Sequence, residues 1–139
     1  MHLVAGLDSV PSMRSVLGLH ETVCTGAADA YGRMARVPAA TLLHLGPGLA
    51  NGLANLHNAR RARSPVLNIV GDMASWHTCD PPLAMDIQSL ARSVSGFVRT
   101  SDADPAHAAR DVAQAVAATL VPATALDSRV GASLSSWAM

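Results

Sequence analysis

A single glutamate lies where a buried strand is expected to give way to a helix. Glu21 follows His20, and it is the only glutamate of the 139 residues, because every other acidic residue is an aspartate. A carboxylate at the carboxyl end of a parallel strand lies at the edge where open α/β sheets bind ligands. The N-terminus of a helix also stabilises the ionised carboxylate. Glu21 is therefore the first candidate for chemistry; the alternative is an acidic residue that only complements the helix dipole.

Two further strand ends carry residues suited to a ligand site. His44 ends the next apolar run and is followed by the turn Gly46-Pro47-Gly48, and Gly71-Asp72 ends the run after that. Glycines let a ligand approach the backbone closely, and a helix that starts there offers N–H groups. The pattern predicts that the three strand ends share one rim. The alternatives are a plain tight turn and a histidine that is only a satisfied polar residue.

Composition excludes several functions. The formal net charge is zero, which does not favour nucleic acid or an anionic membrane surface. All ten basic residues are arginines, so no lysine is present for a Schiff base or a P-loop. GxGxxG is absent, and no histidine has a metal-ligand spacing, so we predict no metal site. Cys24 and Cys79 suit free thiols in the cytoplasm, and no apolar run suggests a membrane span.

Strand and helix patterns alternate with short links, which predicts one α/β domain with a doubly wound, mostly parallel sheet and helices on both faces. We assign this domain to residues 1–122 and expect a poorly ordered tail over 123–139. Helices are predicted for His2–Val10, Glu21–Arg36, Leu49–Arg63, Leu83–Arg92 and Ala106–Ala118, and strands for Met13–Leu19, Ala39–Leu45, Val66–Val70 and Gly96–Thr100, with Leu120-Val121 as one more short candidate strand.

The helix after Glu21 is rich in small residues. Gly26 and Gly32 lie in its interior, where each glycine costs roughly 1 kcal/mol relative to alanine. Such a cost suggests close approach by another backbone, a ligand or a partner subunit, and tight packing on the sheet explains it equally well.

The order of these segments resembles the N-terminal, pyrimidine-binding domain of thiamine diphosphate-dependent enzymes, in the acetolactate synthase and benzoylformate decarboxylase group. The resemblance covers about residues 2–118. Its motifs are Leu19-His20-Glu21, Gly26 to Arg33, Pro38-Ala39, Gly46-Pro47-Gly48, Asn51-Gly52, Asn58-Ala59, Ser64-Pro65 and Gly71-Asp72.

The resemblance implies roles for several residues. Glu21 matches the glutamate that hydrogen-bonds a pyrimidine nitrogen of the cofactor and so promotes loss of the thiazolium C2 proton. The cofactor then attacks a 2-keto acid, and carbon dioxide is lost. His44 is similar to a catalytic histidine of benzoylformate decarboxylases. Gly46, Pro47, Gly48 and Asn51 are expected to contact the cofactor with Glu21. A Rossmann-like layout, a dimer and transferase or lyase activity are the further implications.

The chain also departs from the family pattern. The family's first, central strand is not recognisable, and neither are the middle domain or the Gly-Asp-Gly and Asn motif that holds the diphosphate and magnesium. We therefore expect a truncated chain that takes only the pyrimidine end of the cofactor, while magnesium and any FAD would bind segments that it lacks. Three hypotheses remain: a fragment of such an enzyme, a non-catalytic module that docks on a full-length relative, and a remnant that does not fold stably.

Overall fold

The computed structural model describes residues 2–74, 76–77, 79–102, 104–120 and 132–138. Helices and strands alternate along most of this length. They are α1 (His2–Asp8), α2 (Glu21–Ala35), β1 (Ala39–Leu43), α3 (Leu45–Ala62), β2 (Val66–Asp72), α4 (Ile87–Val94), β3 (Phe97–Thr100), α5 (Pro105–Leu120) and β4 (Ala132–Ala138). Within these ranges, no helix combines the length and the apolar character needed to cross a membrane.

The four strands form one parallel sheet in the order β1-β2-β4-β3. β4 lies between β2 and β3, and its residues come from the stretch that the sequence predicts to be a poorly ordered tail. The structure differs from that expectation at residues 132–138, whereas residues 121–131 and Met139 lie outside the described residues. The short strand expected at Leu120-Val121 is not formed at Leu120, which ends α5, and Val121 also lies outside them.

Helices cover both faces of the sheet, as the sequence predicts. Val66 and Val70 of β2 face a core cluster shared with α2, α3 and α4. Leu67 and Ile69, which alternate with them, face α5 through Ala115 and its neighbours. β2 is therefore apolar on both faces, as expected for a covered parallel strand.

The predicted strand Met13–Leu19 is wrong. Residues 14–18 adopt no regular structure, and the side chains of Leu17 and Leu19 are 90% and 97% exposed. A strand forms only when its backbone N–H and C=O groups find a ladder partner, which this stretch lacks in the described residues. β1 is correspondingly an edge strand of the described sheet.

The helix starts differ from one another in how well the sequence predicts them. α2 begins at Glu21 as predicted, with His20 as its N-cap, since the backbone N–H of Thr22 donates to His20 Nδ1 at 3.2 Å. α3 begins at Leu45, four residues before the predicted start, because Gly46-Pro47-Gly48 forms its first turn rather than a loop before it. Proline is tolerated there because its missing N–H would have no helical partner.

The small residues of α2 allow close packing inside the chain. A Cβ on Gly26 would lie 2.8 Å from Asn55 Nδ2 of α3, and one on Gly32 would lie 2.9 Å from the carbonyl oxygen of Pro65. Gly52 of α3 is equally restricted, because a Cβ there would lie 2.8 Å from Thr25 Cγ2. Tight packing within the domain therefore accounts for these glycines.

Candidate functional site

The carboxylate of Glu21 lies against the start of α3. Its Oε1 is 3.5 Å from the position that a Cβ on Gly48 would take, and its Oε2 accepts a hydrogen bond from Asn51 Nδ2 at 3.1 Å. The N-terminus of α2 and the junction between β1 and α3 thus meet at the carboxyl edge of β1, the kind of edge where ligands bind in such sheets. The structure brings together three of the residues singled out from the sequence: Glu21, Gly48 and Asn51.

Local hydrogen bonds favour the ionised form of Glu21. The pKa of its carboxyl is lowered from the ordinary value, first by a backbone hydrogen bond at Glu21 itself and next by the hydrogen bond from Asn51. Burial acts in the opposite direction, and the charges of His20 and His44 add to the lowering. Glu21 is therefore an anionic hydrogen-bond acceptor at neutral pH.

His44 is the N-cap residue of α3, and it lies at the same rim as Glu21. The side chain is exposed and makes no capping hydrogen bond, although the carbonyl oxygen of His44 accepts from the N–H of Gly48 at 3.0 Å. The next residue, Leu45, has φ of 56° and is 3% exposed, so a buried leucine takes a left-handed backbone at the turn. Such strain in a non-glycine residue is typical of functional turns.

The two glycines of the turn have different surroundings. Gly48 faces Glu21, whereas Gly46 packs beneath Met85: a Cβ on Gly46 would lie 2.7 Å from Met85 Sδ. Met85 is 45% exposed and precedes Asp86, the N-cap of α4, whose Oδ1 accepts from the N–H of Ser89 at 2.9 Å. Met85 is a site residue that sequence reasoning missed, and no local signal marks it, because its contact depends on the tertiary fold.

The end of β2 also lies at this edge. A Cβ on Gly71 would lie 3.7 Å from the carbonyl oxygen of Leu43, the last residue of β1. Asp72 ends β2, and its Oδ1 accepts from the N–H of Met73 at 2.7 Å. Asp72 therefore shapes the loop that follows β2. The ends of β1 and β2 lie at one rim beside Glu21, whereas the third predicted strand end, before Glu21, is absent because that stretch forms no strand.

The rim presents a small set of polar and backbone groups. Across the described ranges, no three His, Cys, Asp or Glu side chains come together in a way that could hold a metal. The rim offers one ionised carboxylate, the exposed imidazole of His44, and Gly48, whose Cβ position lies 3.5 Å from Glu21 Oε1 and 3.6 Å from His44 Cβ.

Fold and site together define a ligand-binding α/β domain, and comparison with known proteins identifies its family. Residues 1–90 match the family model described as thiamine pyrophosphate enzyme, N-terminal TPP binding domain. The chain belongs to this family, and it has the fold of the family's N-terminal domain.

Relatives confirm the acetolactate synthase-like character of the domain. A protein of Mycobacterium tuberculosis (strain ATCC 25618 / H37Rv), described as an acetolactate synthase large subunit, IlvX, is 58% identical over 120 residues, which is 86% of this chain and 23% of the relative. This chain therefore spans about a quarter of the length of that relative.

Solved structures confirm the fold. The thiamine diphosphate-dependent 4-hydroxybenzoylformate decarboxylase of Rhodococcus jostii RHA1 superposes with a TM-score of 0.77 at 22% identity, over 90% of this chain and 23% of that one. A thiamin diphosphate-dependent enzyme isolated from Mycobacterium smegmatis gives a TM-score of 0.74 at 24% identity, with the same coverage of both chains.

Proposed function

We propose that this chain binds the aminopyrimidine ring of thiamine diphosphate and that Glu21 holds a ring nitrogen. The observation that carries the proposal is the position of Glu21 Oε1 beside Gly48, together with the hydrogen bond from Asn51 that occupies Oε2. A Cβ at position 48 would be in ordinary van der Waals contact with this carboxylate, and a larger side chain would occupy the space that glycine leaves for a ligand edge. Gly46 and Pro47 would complete the backbone wall of the ring site.

The cofactor would supply the electron sink for decarboxylation or carboligation. Glu21 would share a proton with the ring nitrogen through its carboxylate, and the low pKa of Glu21 keeps that group ionised before the ligand arrives. His44, exposed at the rim, would hold or move a proton close to the substrate.

The wider enzyme to which such a domain contributes is a 2-keto acid decarboxylase or an acetolactate synthase-like carboligase, hence a lyase or a transferase. Because the chain spans 23% of the relative's length, turnover would depend on further segments for the diphosphate, magnesium and any FAD. We propose that these come from a full-length relative that pairs with this chain as in a dimer, and that the protein works in the cytoplasm, where thiols such as the exposed Cys79 stay reduced.

The test is calorimetric binding of thiamine diphosphate to the full chain. We expect saturable binding that Glu21→Gln weakens by about tenfold or more, since a hydrogen bond to a charged group contributes roughly 1.5–3 kcal/mol. Asp8→Asn, the same change of carboxylate to amide at an exposed residue of α1, is the matched control and should leave affinity unchanged. Equal affinities for wild type and Glu21→Gln would overturn the role of Glu21.

A second function, docking on a full-length relative without catalysis, is favoured by the apolar surface of α2. Val23, Tyr31 and Met34 are 60%, 56% and 87% exposed, and Leu19 just before the helix is 97% exposed. Exposed apolar groups of this kind suit a protein interface. Co-purification of the tagged chain with a full-length relative, lost in Met34→Lys, would support docking, and its absence at micromolar concentrations would refute it.

A further inference from the structure

We infer that Asn51 is a positioning residue that acts on Glu21, and that it is not a group that binds the ligand. The sequence groups Asn51 with the cofactor-binding residues. In the structure its amide Nδ2 donates to Glu21 Oε2 at 3.1 Å, so its donor group is turned toward the carboxylate. The inference deepens the proposed function and rests on it only for the consequence of this contact for ligand binding.

The backbone of Asn51 is fixed by the helix that carries Glu21. The hydroxyl of Thr22, the residue after Glu21, donates to the carbonyl oxygen of Asn51 at 2.8 Å. One turn further along α3, Asn55 Nδ2 donates to the carbonyl oxygen of Thr22 at 2.7 Å. The two helices therefore exchange hydrogen bonds next to the Asn51–Glu21 contact, and these bonds hold the backbones of the two residues at a fixed separation.

Close helix spacing makes this exchange possible. The hydroxyl of Thr25 is 0% exposed and lies 3.3 Å from the carbonyl oxygen of Gly52, and its methyl group occupies the space that a Cβ on Gly52 would need. Gly26 leaves the corresponding space for Asn55. The glycines thus allow α2 and α3 to approach closely enough to form these hydrogen bonds. The resulting helix spacing sets the distance from Asn51 to Glu21.

The geometry assigns different tasks to the two carboxylate oxygens. Oε2 is held by Asn51, and Oε1 faces Gly48, where a ligand nitrogen would approach. Holding one oxygen fixes the rotation of the carboxylate before binding, which is how a positioning group improves a site without touching the ligand. A donor at position 51 also keeps the carboxylate ionised, whereas a carboxylate there would repel it.

A direct test uses the fact that the chain has a single glutamate. Labelling glutamate with 13C at the side-chain carboxyl gives one signal, which reports the titration of Glu21 in the ligand-free chain. We expect Asn51→Ala to raise the pKa of Glu21 and Asn51→Asp to raise it further. Asn58→Ala, at an exposed asparagine two turns further along α3, is the matched control and should leave the titration unchanged.

A titration curve of folded Asn51→Ala that superposes on the wild-type curve would overturn the inference. If Asn51→Ala does not fold, Thr22→Val tests the positioning of Asn51 against Glu21, because it removes the hydroxyl that fixes the backbone of Asn51. The pKa of Glu21 should then rise, and Thr22→Ser should restore it. An unchanged pKa in folded Thr22→Val would count against the inference as firmly as the first result.

A double-mutant cycle on thiamine diphosphate affinity separates positioning from direct binding. If Asn51 acts through Glu21, Asn51→Ala weakens binding in the wild-type background and has no further effect in the Glu21→Gln background. Equal effects in both backgrounds would mean that Asn51 contacts the ligand itself and would overturn the inference. Should the chain bind no thiamine diphosphate, the proposed function fails, while the ligand-free titration of Glu21 still decides the role of Asn51.

Discussion

Glu21 shows how a single residue gains its chemistry from neighbours that lie far away in the sequence. The sequence singles it out, because it is the only glutamate, it lies at a predicted strand-to-helix junction, and a Gly-Pro-Gly motif follows the next predicted strand. The sequence does not reveal that Asn51 holds one carboxylate oxygen or that Met85 covers Gly46. Both contacts join residues from different elements, so their geometry depends on how the helices and the loop before α4 pack.

Asp29 is a second carboxylate with strong partners, in the interior of α2. It is 8% exposed and accepts hydrogen bonds from Arg33 Nε at 2.8 Å, from Arg33 Nη2 at 2.6 Å and from the hydroxyl of Ser64. Burial acts to raise the pKa of Asp29, but the hydrogen bonds from Arg33 and Ser64 outweigh it, so that the pKa is lowered. Asp29 therefore ties α2 to Ser64, the second residue after the end of α3, and contributes to stability as an anion.

We predict that Asp29→Asn lowers the free energy of unfolding by roughly 1–3 kcal/mol, because the guanidinium of Arg33 loses its charged partner. Since the folded pKa lies below the unfolded one, the contribution is fully present above the ordinary aspartate pKa of about 3.9 and is lost as the pH falls through the lowered folded value. Urea denaturation at several pH values measures both effects. A variant that loses stability with acid as steeply as the wild type would contradict the assignment.

At the scale of elements, the packing of α2 on α3 and on Pro65 depends on residues without side chains. The sequence shows that glycines interrupt a helix but cannot show what they face. The same limit explains the predicted start of α3: Gly and Pro in Gly46-Pro47-Gly48 suggest a loop, yet proline suits a first helical turn. Local propensity predicts that a helix exists more reliably than where it begins.

We predict that Gly32→Ala lowers the free energy of unfolding by roughly 1–3 kcal/mol. At an unhindered helix position the same change would raise the free energy of unfolding by about 1 kcal/mol, because alanine favours the helix over glycine. Gly32→Ala is destabilising because a Cβ at Gly32 would lie 2.9 Å from the backbone oxygen of Pro65, which cannot turn aside as a side chain could. Gly6→Ala in α1 is the matched control, because nothing lies within 4 Å of its Cβ position. Equal denaturation midpoints for the two variants would refute this packing.

At the scale of the whole molecule, strand pairing is the feature that the sequence predicts least well. Met13–Leu19 has the composition of a buried strand and finds no ladder partner, whereas residues 132–138, with no clear period, join the middle of the sheet as β4. Pairing joins residues distant in the sequence, so composition alone cannot decide it. The strands Ala39–Leu43 and Val66–Asp72, which pair with each other across a single intervening helix, are predicted correctly to within two residues.

The exposed apolar stretch before α2 and the open edge of β1 should make the isolated chain associate with itself. We predict that Leu17→Lys reduces concentration-dependent association, measured by light scattering, without lowering the unfolding midpoint, because Leu17 is 90% exposed and packs in no core. Leu49→Lys, at a fully buried position, should instead unfold the chain. Unchanged association in Leu17→Lys would show that this stretch is not involved.

In the proposed function, the Glu21 carboxylate meets a nitrogen heterocycle at the Gly48 turn. The most direct measurement is the 13C signal of the one glutamate carboxyl during titration with thiamine diphosphate. We predict a saturable change in its chemical shift with the same midpoint as calorimetric binding. A Glu21 signal that stays unchanged while the chain is saturated with thiamine diphosphate would contradict the account.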